Sequence, residues 1–152
     1  MNEELIRVYL NLEAVKDLFA GPNVPDVNHL AAFAYRKACM NNVEVAHYLL
    51  TSHKINLSNQ KIAFIATCRR GGLKAYRMIV DNSNILEELS IDEIDECFYF
   101  ASENGLVPSL MSDFGVPDMP IEDAINYISV RREKRAIDGI VGSAPIGQVI
   151  KI

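Results

Sequence analysis

The sequence predicts an all-α fold, a helical solenoid of about four stacked helix pairs closed by a C-terminal capping helix. Three observations carry that prediction: similar nine-residue segments recur along the chain, each later copy follows another helical segment, and a short break separates the two at a constant phase. Self-similarity at a period of roughly 20–50 residues marks repeats that stack, because one helix pair cannot bury its apolar face alone.

The recurring segments are "NLEAVKDLF" (11–19), "NVEVAHYLL" (42–50) and "GLKAYRMIV" (72–80), with a shorter copy "GLVPSLM" at 105–111. Their second residues, Leu12, Val43, Leu73 and Leu106, stand 31, 30 and 33 apart. The segments 29–40, 60–70 and 93–104, which precede the later copies, place alanine and larger apolar residues at helical spacing. The breaks Asn41-Asn42, Gly71-Gly72 and Asn104-Gly105 use residues that tolerate a left-handed backbone, and are expected to end one helix before the next begins.

The longer connections carry their own signals. Gly21, Pro22 and Pro25 interrupt 20–28, Ser58 stands before a helix start, and "DNSN" (81–84) is turn-rich. Ser90 and Glu93 have the spacing of a capping box, and Pro108 lies near a helix start, where a missing N–H is tolerated. Pro117 and Pro120 close the last pair, and 121–138 reads as the capping helix, with Ile121, Ile125, Ile128 and Val130 facing inward. The chain thus divides into one helical domain, 1–138, and an apolar tail, 139–152, broken by Gly139, Gly142, Pro145 and Gly147. Ala38, Cys39, Ala46, Leu49 and Leu50 are predicted to pack against Leu18, Phe19, Thr67, Cys68, Met78 and Ile79 of neighbouring pairs.

Composition bounds the function. With 152 residues, 49% hydrophobic and 23% charged, the chain can bury a core without disulfides or metals. A formal charge of -5 gives no global attraction to phosphate or anionic membrane. Cys39, Cys68 and Cys97 form no CxxC pair, which points to a reducing compartment. "MNEELIRVYL" carries acid where a secretory signal carries positive charge, and no apolar run reaches the length of a membrane span, so a cytoplasmic protein is expected.

Chemistry-bearing patterns are few. His29, His47 and His53 do not share a helix face at metal-ligand spacing, and the cysteines fit buried helix positions. The acidic run "DEIDE" (92–96) suits a first helical turn, where carboxylates complement the helix dipole. No catalytic residue, metal ligand or cofactor is therefore assigned. Two basic clusters, "CRRGGLK" (68–74) with Tyr76 nearby and "RREKR" (131–135) with Tyr127, supply an alternative reading as a nucleic-acid-binding protein, which the net acidity disfavours. In a further alternative the tail docks into a partner as a strand or groove-bound peptide.

Helix pairs at this period, together with "NLEAVKDLF", "ACMNNVEVAHYLL" and "TCRRGGLKAYRMIV", resemble ankyrin repeats over roughly residues 5–115. The family's Thr-Pro-Leu-His tetrapeptide is absent, the corresponding positions reading "FAYR" (33–36) and "IAFI" (62–65). The resemblance implies a non-catalytic protein-binding module whose first-helix residues before each break face a concave groove. Tyr35, Arg36, Met40, Asn41, Arg69, Arg70, Glu103 and Asn104 are the predicted partner contacts. Loosely matched repeats of this kind occur in viral and bacterial effector proteins, which implies a factor that sequesters or inhibits a host protein.

Overall fold

The computed structural model describes residues 11–20, 35–52 and 55–143; the helical segment expected from 29 to 34, His29, His53 and the tail beyond 143 lie outside them. Among the described residues the chain is all-helical, with nine helices and no strand. They are α1 (Leu12–Ala20), α2 (35–41), α3 (Val43–Ser52), α4 (Leu57–Arg70), α5 (Leu73–Asn82), α6 (Ile85–Glu88), α7 (Ile91–Ser102), α8 (Val107–Asp113) and α9 (Ile121–Ser143). No described helix is long and apolar enough to cross a membrane. The chain divides into two compact units, Met1–Val107 and Pro108–Ile152.

Local signals set the helix starts in the first unit. Asn11 and Asn42 accept hydrogen bonds from the amides of Ala14 (3.0 Å) and Val45 (3.3 Å), so two repeat-equivalent asparagines cap the second helices of their pairs. Asn42 is thus a cap within an ordinary backbone: no described non-glycine residue has positive φ, and the expected left-handed break at Asn41-Asn42 does not occur. Asn56, not Ser58, starts α4, its side chain accepting from the Asn59 amide at 2.9 Å. The Ser90 and Glu93 capping box forms as expected, with reciprocal bonds of 2.8 and 3.1 Å. Helix α6, a single turn after the turn-rich 81–84, buries Ile85 and is followed by the buried Leu89.

Packing follows the sequence period. α4 packs against α7, and α3 packs against both α1 and α5, while α4 and α5 close against each other within their pair. First helices therefore meet first helices and second helices meet second helices. Ala38, Ala46, Leu49, Cys68 and Ile79 are completely buried, as predicted for the seams. Leu50 is only half-buried; Val45 fills the core in its place, because at 3.6 residues per turn Val45, Ala46 and Leu49 share one stripe. The Phe64 and Tyr76 rings stack obliquely, 5.5 Å apart, between α4 and α5.

In the second unit, Ala124 and Ile128 are the buried residues of α9, whereas Ile121 and Ile125 are half-buried and Val130 is 56% exposed. The helix runs to Ser143, five residues past the expected end at 138, so Gly139 and Gly142 lie within it. A glycine lowers helix propensity by only about 1 kcal/mol, which does not by itself stop a helix.

Candidate interaction surface

Helices α4 and α7 lie parallel and in register, held at both ends. Near their starts the Lys61 ammonium meets the Glu93 carboxylate at 3.0 Å. Beyond their ends the Asn104 side-chain amide donates to the carbonyls of Arg69 (2.6 Å), Cys68 (3.1 Å) and Phe100 (3.0 Å). Gly71 makes this clip possible. It ends α4 in the left-handed region (φ 79°), and a Cβ there would stand 2.7 Å from the Asn104 Cβ. Gly105 has a similar positive φ (76°) but open space around it.

The exposed side of this pair combines charge with apolar surface. Along α4, Ile62 and Arg69 are exposed, with the half-buried Ile65 and Ala66 between them on one helix face. Along α7, Asp92, Asp95, Glu96, Tyr99 and Glu103 follow the same spacing and are all exposed, Tyr99 by 66%. The Arg69 guanidinium sits over the Phe100 ring, 5.4 Å from its centroid, so the two helices share one continuous face. Charge is segregated across it. The exposed charged residues of α4 are Arg69 and Arg70, whereas those of α7 and its cap are Asp92, Asp95, Glu96 and Glu103.

The structure sorts the predicted contacts. Arg69, Arg70 and Glu103 are exposed at the C-terminal ends of α4 and α7. Arg36 and Met40 are half-buried and Asn41 is exposed on α2, where the Asn41 amide donates to the Lys37 carbonyl at 2.9 Å. Asn104 stays at the surface, but its amide is engaged in the clip. Tyr35 does not belong to the surface: its side chain is fully buried. Burial, with the Cys39 thiol one turn on, pushes the Tyr35 pKa up, and burial pushes Cys39 up to about 12. The partner contact expected at Tyr35 is absent from the surface because Tyr35 shares the inward stripe of Ala38 and Cys39 on α2. The signals missed in the sequence were Tyr99 and Ile62, whose exposure depends on which face of each first helix turns inward.

Other candidate chemistry is absorbed by packing. Cys68 and Cys97 are completely buried on the adjoining α4 and α7, and the Cys68 thiol, with burial, raises the Cys97 pKa. Both remain thiols, and thiols buried this completely are poorly placed to act as nucleophiles or metal ligands. Among the described residues no group of three His, Cys, Asp or Glu could hold a metal ion. Tyr76 is buried and cannot stack a base. Arg131 of the "RREKR" cluster donates to the carbonyls of Phe114 and Gly115, both at 3.1 Å, which joins α9 to the end of α8. An open groove of about 600 Å³ runs over α1, α3 and α5, where Leu12, Val43 and Met78 lie beside Lys16, His47 and Lys74. It is formed by the outer sides of second helices. No protein-family model, curated protein or solved structure matches the chain.

Proposed function

We propose that the chain is a non-catalytic protein-binding module made of ankyrin-like helix pairs, and that it binds through the face of α4 and α7. One observation carries this reading: Ile62 and Tyr99 are exposed beside unpaired charges of both signs on a rigid, clipped helix pair. An arginine held over an aromatic ring next to an exposed tyrosine has the composition of an interface anchor. Stacking of first helices on first helices and second on second, at the period of the sequence repeat, supports the ankyrin-like part of the proposal. Nucleic acid is less well served by this face, since acidic residues border the arginines along α7.

The test is capture of protein partners by the wild-type chain and by a variant carrying Arg69→Glu and Arg70→Glu, with helicity followed by circular dichroism. Loss of capture at unchanged helicity is the expected result. Equal capture by both proteins removes the face, and binding that falls steeply with salt on nucleic acid would favour the basic-cluster reading instead.

A further inference from the structure

We propose that the occupant of the α4 and α7 face is a second copy of this chain, in a two-fold symmetric dimer. The inference rests on the protein-binding reading of that face and names its partner.

Self-complementarity is the reason. A symmetric interface must present a surface that matches itself. Here the basic half lies on α4 (Lys61, Arg69, Arg70) and the acidic half on α7 (Asp92, Asp95, Glu96, Glu103), with Ile62, Ala66 and Tyr99 along the seam. The Lys61 and Glu93 pair at one end and the Asn104 clip at the other hold the helices parallel, so equal heights can be matched along them. A two-fold axis running along the seam, parallel to both helices, lays α4 of one copy over α7 of the other at the same height. Arg69 then stands at the height of the partner's Phe100, with the partner's Glu96 and the partner's Glu103 about one turn to either side of it, and Ala66 and the partner's Tyr99 lie within one turn of each other. Every such contact occurs twice. An axis perpendicular to the helices would instead set α4 on α4 and α7 on α7, like charge on like, which costs affinity.

Arg70, Asp92, Asp95, Glu96 and Glu103 hold no ion pair within the described residues, so their charges are available to a partner. The area sets the strength. Two helices about 20 Å long and about 20 Å across together offer ~400 Å² per copy. The total of ~800 Å² lies below the ~1,200 Å² at which stable complexes begin, so the dimer is weak and forms with rising concentration.

Sedimentation equilibrium of the full chain, from about 10 µM to about 1 mM at low and high salt, tests the proposal. Three samples are compared: Arg69→Glu with Arg70→Glu, Glu96→Lys with Glu103→Arg, and an equimolar mixture of the two. Wild type is expected to dimerise, more weakly at high salt; each variant alone should associate at least about tenfold more weakly, and the mixture should recover the wild-type level. The mixture is diagnostic because its α4 and α7 charges are complementary only between unlike copies. Tyr99→Arg, at a site 66% exposed and so neutral for folding, should weaken association as well. A monomeric wild type across the range overturns the dimer; if it still needs Arg69 and Arg70 to capture another protein, the protein-binding reading survives. A wild-type dimer unaffected by all the variants overturns both the dimer geometry and the use of this face.

Discussion

At the scale of single residues, two glycines of similar positive φ separate conformational strain from close approach. Gly105→Ala meets only the left-handed backbone and should cost about 1 kcal/mol, whereas Gly71→Ala also drives a methyl into Asn104 and should cost about 2–4 kcal/mol in urea unfolding. Glu93 supplies a pH signature. The backbone amide of Ser90 donates to its carboxylate, with Lys61 adding a second bond, and these hold its pKa below the usual value. A carboxylate whose folded pKa is depressed contributes its full stability above the unfolded pKa, about 4.3, and loses it as the pH falls through the lower folded value. Glu93→Gln should therefore flatten the acid limb of stability against pH, measured by thermal unfolding at stepped pH. The capping box behind this behaviour was legible as Ser90 and Glu93 at the right spacing. Lys61, thirty-two residues away, was not, because only packing of α4 on α7 brings it there.

At the scale of elements, helix starts were easier to read than helix neighbours. Caps depend on residues within one turn, so Ser90 reads directly, while Asn11, Asn42 and Asn56 show that the short amide side chain does the same work at three other starts. The faces of α9 were harder. Arg131 looks like one more solvated cation in "RREKR", yet it satisfies two carbonyls past the end of α8, beside the left-handed Gly115. Arg131→Ala should lower the stability of the chain by about 1.5–3 kcal/mol, the range for hydrogen bonds to a charged donor. Arg135→Ala, an exposed position on the same helix, should stay within about 0.5 kcal/mol. Chemical denaturation of the two variants side by side decides between a structural and a solvated role.

At the scale of the whole molecule, stability is shared between neighbours rather than held within one helix pair. α3 packs on both α1 and α5, and Leu49 is completely buried on it. Leu49→Ala should cost about 2–5 kcal/mol through lost transfer energy and the cavity left behind. It should also speed amide exchange in α1 and α5, not in α3 alone; a change confined to α3 would mean the helices do not depend on one another. The sequence by itself determined the all-helical class, the period of the pairs, the turns at Gly71 and Gly105 and most of the buried stripe, because each is written in local propensity and spacing. Tertiary structure alone decided that Tyr35 and Tyr76 go inward, that Tyr99 and Ile62 stay outside, and that Arg131 and Asn104 are clips. Each of those outcomes depends on which face of a helix meets its neighbour, and an amphipathic helix with two partly apolar faces does not settle that until the neighbour is in place.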